Sequence, residues 1–178
     1  MTSRACAGCP TRGRSGSTGG TALVGVDGWA DARHGQLEGS PVRLRDYQHV
    51  EDLARHDFEP AVEVARSLAD RDAATLRGLL EEALAARPRV LVATHVPPFP
   101  EAARYGGEVT HPHFLPWVTC KATGDVLLEV AARHPEGRLT VLCGHMHHPA
   151  EVAIRDNLEV RCGAAEYGRP VVQAVLEL

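Results

Sequence analysis

Two apolar runs in this chain end in the same way. Val90-Leu91-Val92-Ala93 passes into Thr94-His95, and Leu139-Thr140-Val141-Leu142-Cys143 passes into Gly144-His145-Met146-His147-His148. A short, continuous run rich in β-branched residues reads as a strand of a parallel sheet covered on both faces. Ligands of open α/β sheets bind outside the carboxyl ends of the strands. Two such ends carrying imidazoles therefore predict an α/β sheet with several histidines converging at one end. Gly144 supplies the backbone freedom for a sharp turn off the second strand, and the spacing of His145 and His147 lets one tight loop present two ring nitrogens.

The flanking pattern agrees with that class. Ala22-Leu23-Val24-Gly25-Val26, closed by Asp27-Gly28, reads as a further buried strand and turn. Residues 44–56 read as weakly helical. Asp70 and Asp72 offer N-caps for a stronger helix with Leu76, Leu79, Leu80, Ala83 and Leu84 on one face and Pro88 as its stop. Residues 97–118 form a Pro- and His-bearing loop too long for a plain connection. A helix is expected over about 122–134, with Val126, Leu127, Val130 and Ala131 inward. Three short strands close the chain: Val152 and Ile154, then Leu158 and Val160 across an Asp156-Asn157 turn, then Val171 to Leu176.

Composition narrows the function classes. A chain of 178 residues argues for one domain. A net charge of −4 advertises no basic face for nucleic acid or anionic lipid. No apolar run is long enough to span a bilayer. Residues 1–20 lack Leu, Ile, Val, Phe and every acidic residue. They read as a disordered leader without the apolar core of a signal peptide. Five cysteines without such a signal argue for a reducing, cytoplasmic setting. Cys143 and Cys162, in apolar runs, read as small buried hydrophobes. Cys6-Ala7-Gly8-Cys9 has the spacing of a redox or zinc motif but no flanking strand and helix and no second pair.

The ten histidines carry the chemistry, imidazole being the common metal ligand and proton carrier near neutral pH. His95, His145 and His147 are the metal-ligand candidates. His111 and His113 sit in the long loop and could reach a substrate over the site. His148 reads as a bystander facing solvent, and His34, His49, His56 and His134 as surface or hydrogen-bonded residues. Asp27, just after a strand, is either a turn aspartate or a further carboxylate for the site. Three histidines can also hold a single zinc with an open water position.

Ala93-Thr94-His95-Val96-Pro97-Pro98-Phe99, followed about fifty residues on by Cys143-Gly144-His145-Met146-His147, resembles the last two motifs of the calcineurin-like metallophosphoesterases. Val24-Gly25-Val26-Asp27-Gly28-Trp29 is similar, much more weakly, to an internal strand and turn of some members. The resemblance covers roughly residues 21–178. It implies a partial metallophosphoesterase-type β-sandwich flanked by helices, and a hydrolase using two Mn, Fe or Zn ions that share a bridging hydroxide. His95 and His145 would bind one metal and His147 the other. Paired cations lower the pKa of the shared water and neutralise charge on the phosphoryl oxygens, and neutral imidazoles suit these metals. The departures are as informative. The family's Asp-x-His, Gly-Asp and Gly-Asn-His-Asp/Glu motifs do not occur here. With them go the bridging carboxylate, several ligands and the histidine proposed as proton donor, so no catalytic residue is assigned. The resemblance thus implies a truncated phosphoesterase, active only if the missing half is restored.

Two other readings compete. One is a non-catalytic remnant or interaction module binding at most one metal ion. The other is a structural zinc protein built on Cys6, Cys9 and two histidines. A phosphate ester is the expected substrate, its identity open among monoesters, diesters, nucleotides and phosphoproteins. A sheet lacking its opening strands would expose an apolar edge, so self-association through that edge and poor solubility are expected.

Overall fold

The computed structural model describes residues 20–177. The leader and its Cys6-x-x-Cys9 pair lie outside the described residues, Gly20 aside. Five strands form one sheet: β1 (Thr21–Gly25), β2 (Arg89–Ala93), β5 (Arg138–Cys143), β6 (Ala150–Arg155) and β7 (Leu158–Cys162), in the order β1-β2-β5-β7-β6. All neighbours run parallel except β6 on β7. Two short strands, β3 (Arg104–Tyr105) and β4 (Glu108–Val109), make a separate antiparallel ribbon. The helices are α1 (Asp46–His49), α2 (Glu51–Ala54), α3 (Phe58–Ala86), α4 (Leu115–Val118) and α5 (Lys121–Arg133). The protein is a mixed α/β chain with helices flanking its sheet, as the two His-terminated runs require.

Consecutive right-handed crossovers from β1 through α3 to β2, and from β2 through α5 to β5, put both long helices on one face of the sheet. Val90, Val92, Leu139, Val141, Leu158 and Val160 point into that layer and meet Leu76, Leu80, Leu127 and Val130, all fully buried or nearly so. Asn157, in the β6–β7 turn, donates its side-chain amide to the carbonyls of Ala131, His134 and Gly137 at 3.0–3.1 Å. The hairpin is thereby pinned to the carbonyl-rich end of α5.

Four expectations change. The long helix begins at Phe58, well before Asp70 and Asp72, because its first half buries Ala61, Ala65, Ala69 and Ala73, small residues whose periodicity is easily overlooked. The two aspartates are not caps: Asp70 holds Arg33 at 2.6 and 2.8 Å, and Asp72 accepts the Gly28 N–H at 3.0 Å. The central strands are covered on one face only among the described residues. The other face carries Leu91 and Leu142, half-buried, Leu23 at 39% exposure, and a Thr140–Glu159–Arg161 chain of hydrogen bonds. Finally, residues 171–176 form no strand, and Val171, Val172 and Val175 are exposed. No helix among the described residues is long and apolar enough to cross a membrane.

Candidate functional site

Parallel register aligns the carboxyl ends of β1, β2, β5 and β7, and backbone hydrogen bonds carry the ladder past the strands. His95 donates its N–H to Asp27 O at 3.1 Å, Val96 to Gly28 O at 3.2 Å, and Gly144 donates to His95 O at 2.9 Å. His95 is thus held between the turn after β1 and the turn after β5. Gly28 is required for this closeness: its φ is +63°, and a Cβ there would fall on the Thr94 hydroxyl.

The same framework brings His95 and His145 together. His145 Nδ1 lies 3.0 Å from His95 Nε2, with ring centroids 4.9 Å apart. His145 and His147 have φ of +66° and +59°, a region that non-glycine residues enter at a cost and that recurs where function demands it. Trp29 completes the cluster. Its ring stacks on His95 at 5.5 Å and 6°, and meets the edge of His145 at 5.7 Å. Sequence reasoning assigned no role to Trp29, although it follows directly on the Asp27-Gly28 turn. The Trp29 Nε1 and Thr94 Oγ1 atoms flanking this cluster are buried without a hydrogen-bond partner.

Both imidazoles are biased toward the neutral form. Burial and then the neighbouring charge of His95 push His145 from 6.5 down to about 4, against the field of Asp46. Burial of its ring atoms also lowers His95, with His147 adding to the effect. A neutral ring offers a lone pair, as metal ligation requires.

The donor set fits a metal in part. Two imidazole nitrogens at about 2.0–2.1 Å from one ion lie roughly 2.9–3.4 Å apart for angles between octahedral and tetrahedral. The observed 3.0 Å falls in that window. Yet among the described residues no group of three or more His, Cys, Asp or Glu side chains is placed to hold a metal. His147 turns instead to the edge of Tyr167, at 4.8 Å. Asp27 is exposed and serves the site through its backbone carbonyl.

The remaining histidines lie elsewhere. His111 and His113 stack on each other at 5.2 Å, with His113 Nδ1 at 3.2 Å from Gln36 O. His148, expected to face solvent, is half-buried against Tyr105 at 4.5 Å. His34 contacts Thr119 Oγ1 at 3.1 Å, and His134 contacts Glu81 at 2.8 Å.

No family model and no curated protein matches the chain. Among solved structures, a dimetal phosphatase from Danio rerio is similar, with 17% identity and a TM-score of 0.44 over 80% of this chain. The chain spans 45% of the length of that neighbour.

Proposed function

We propose that this chain carries part of the active site of a metal-dependent phosphoesterase, with His95 and His145 as cis ligands of one divalent ion such as Mn, Fe or Zn. The observation behind the reading is the 3.0 Å approach of two ring nitrogens at the ends of adjacent strands, one of them on a left-handed backbone. The motif likeness of residues 93–99 and 143–147 supplies the reaction class. When bound, the metal supplies a water acidic enough to act as nucleophile at neutral pH and a charge that neutralises the phosphoryl oxygens.

The chain's own residues orient and tune. Burial keeps His145 neutral, so it need not shed a proton to ligate. Trp29 fixes the plane of the His95 ring, and the Asp27, Gly28 and Gly144 backbone contacts fix its position. His147, on the same loop, is the candidate ligand of a second ion, and His111 and His113 are candidates for the substrate side. Carboxylate ligands and a proton donor complete such a site in the family and have no counterpart in this sequence, so hydrolysis depends on their being supplied.

Calorimetric titration of the purified chain with Zn and Mn, paired with a chromogenic phosphodiester assay, tests the reading. One ion should bind, and His95→Ala and His145→Ala should each weaken it about tenfold or more, in line with loss of one of two ligands. Binding that is unchanged in both variants would refute the site. A second reading, a non-catalytic module holding at most one ion, is favoured by the convergence of only two donors. Zinc binding through these histidines with no turnover in any metal selects it.

A further inference from the structure

Cys143 and Cys162 are the last residues of β5 and β7 and face each other directly in the parallel register. In-register partners of a parallel pair point to the same side of the sheet, and neighbouring strands lie about 4.8 Å apart. That spacing falls inside the roughly 4.4–6.8 Å Cα window of a disulfide. The two side chains hydrogen-bond each other, and Cys162 Sγ also donates to Gly144 O at 3.1 Å. Gly163 donates its N–H to Cys143 O at 2.8 Å, closing the final rung. Beyond this rung both strands pass into turns, so the small approach of the two Cβ atoms that a bond needs falls where the backbone can yield. Cys143 is half-buried and reaches solvent. Cys120 is the internal contrast: it is fully buried and its sulfur contacts Thr123 Oγ1 at 3.2 Å.

We propose that Cys143 and Cys162 form a reversible disulfide across the last rung of β5 and β7 on exposure to a peroxide, making the pair a redox modification site. One sulfur, as thiolate, attacks a peroxide oxygen. The O–O bond breaks, hydrogen peroxide leaves one water, and a sulfenic acid forms. The second thiol attacks that sulfur, the S–O bond breaks, and a second water departs. Two thiols and one peroxide thus give one disulfide and two waters, the sulfurs losing two electrons and the peroxide gaining them. A dithiol reductant reverses the bond by exchange. The site is independent of any metal at His95 and His145.

The test is peptide mapping of the full chain after brief treatment with hydrogen peroxide under native conditions, followed by alkylation and trypsin. Cleavage after Arg138, Arg155 and Arg161 separates the two cysteines onto different peptides. The expected result is a linked pair of those peptides, two hydrogens lighter than their sum, with both thiols lost to alkylation and Cys120 still free. Dithiothreitol should abolish the link, and the chain unfolded in urea should instead give scrambled pairs. Because the unsubstituted chain is measured, the outcome does not depend on a variant folding. Cys143 and Cys162 both remaining alkylatable, or oxidising separately without a link, would overturn the proposal, as would either one pairing with Cys6, Cys9 or Cys120 in its place.

Discussion

Acid should unfold this protein through His145, and the effect can be worked out. Burial and the His95 charge lower the His145 value from 6.5 to about 4. The unfolded chain therefore takes up a proton below the ordinary value while the folded chain refuses it. Stability from this group is fully present above 6.5 and is lost as pH falls toward 4. At about pH 5 the unfolded form is almost wholly protonated and the folded form hardly so, which corresponds to roughly 2 kcal/mol at about 1.36 kcal/mol per unit. His145 is only half-buried, so solvent screening trims this to about 1–2 kcal/mol.

Urea melts at about pH 7.5 and pH 5, in chelator, measure the loss, with His145→Asn as the reference because Asn tolerates positive φ better than most residues. The unsubstituted chain should lose about 1–2 kcal/mol more than the variant over that interval. Carboxylates, His34 and most of the His95 effect persist in both chains and cancel. Equal losses would refute the assignment of a buried neutral imidazole to this position.

Gly28→Ala combines a backbone at +63° with a collision at Thr94, and should destabilise by about 2–4 kcal/mol in the same melts. Asp31 is fully buried and accepts the Ala122 N–H at 2.9 Å, in the first turn of α5, and the Arg33 guanidinium at 3.2 Å. Asp31→Ala should cost about 2–4 kcal/mol and Asp31→Asn distinctly less, since the amide oxygen still receives Ala122. Self-association is proposed to run along β1, which pairs only with β2 among the described residues and exposes Leu23. Leu23→Lys should shift the chain toward monomer in sedimentation if that edge is the contact, whereas an unchanged distribution places the contact elsewhere.

Strand positions and the hairpin turn were legible because apolar runs and turn residues are local signals. The helix start was not, because alanines at 61, 65, 69 and 73 build a buried face that hydropathy scarcely separates from a polar one. The run at residues 90–93 encodes cover on two faces, and the described residues supply it on one. The run at 171–176 encodes a strand, and strand pairing depends on a neighbour that sequence spacing cannot name. The same distinction separates the parts of the site. His95 and His145 could be paired on paper because each ends a strand and the strands are adjacent. Trp29 could not, since its stacking depends on β1 lying beside β2 and on the Gly28 turn pressing against Thr94.

The left-handed backbone at His145 and His147 ties fold to function most closely. A β-strand can leave a sheet through an ordinary turn with glycine at the positive-φ position, and Gly144 stands one residue away. The chain instead places two histidines there, each at a cost of about 1–2 kcal/mol relative to an unstrained backbone. Neither gains a strong structural contact in return: His145 meets only the weak neighbour His95 and the edge of Trp29, and His147 meets the edge of a Tyr167 that is 89% exposed. A strain that packing does not repay is explained if a ligand binds these rings. Glycine substitutions test that argument. Removing the imidazole and relieving the backbone together, His145→Gly or His147→Gly should leave stability at neutral pH within about 1 kcal/mol, the lost contacts and relieved strain nearly cancelling. His145→Gly should also abolish zinc binding. A stability loss well above that would mean that the rings serve packing, and the functional reading of the loop would fail.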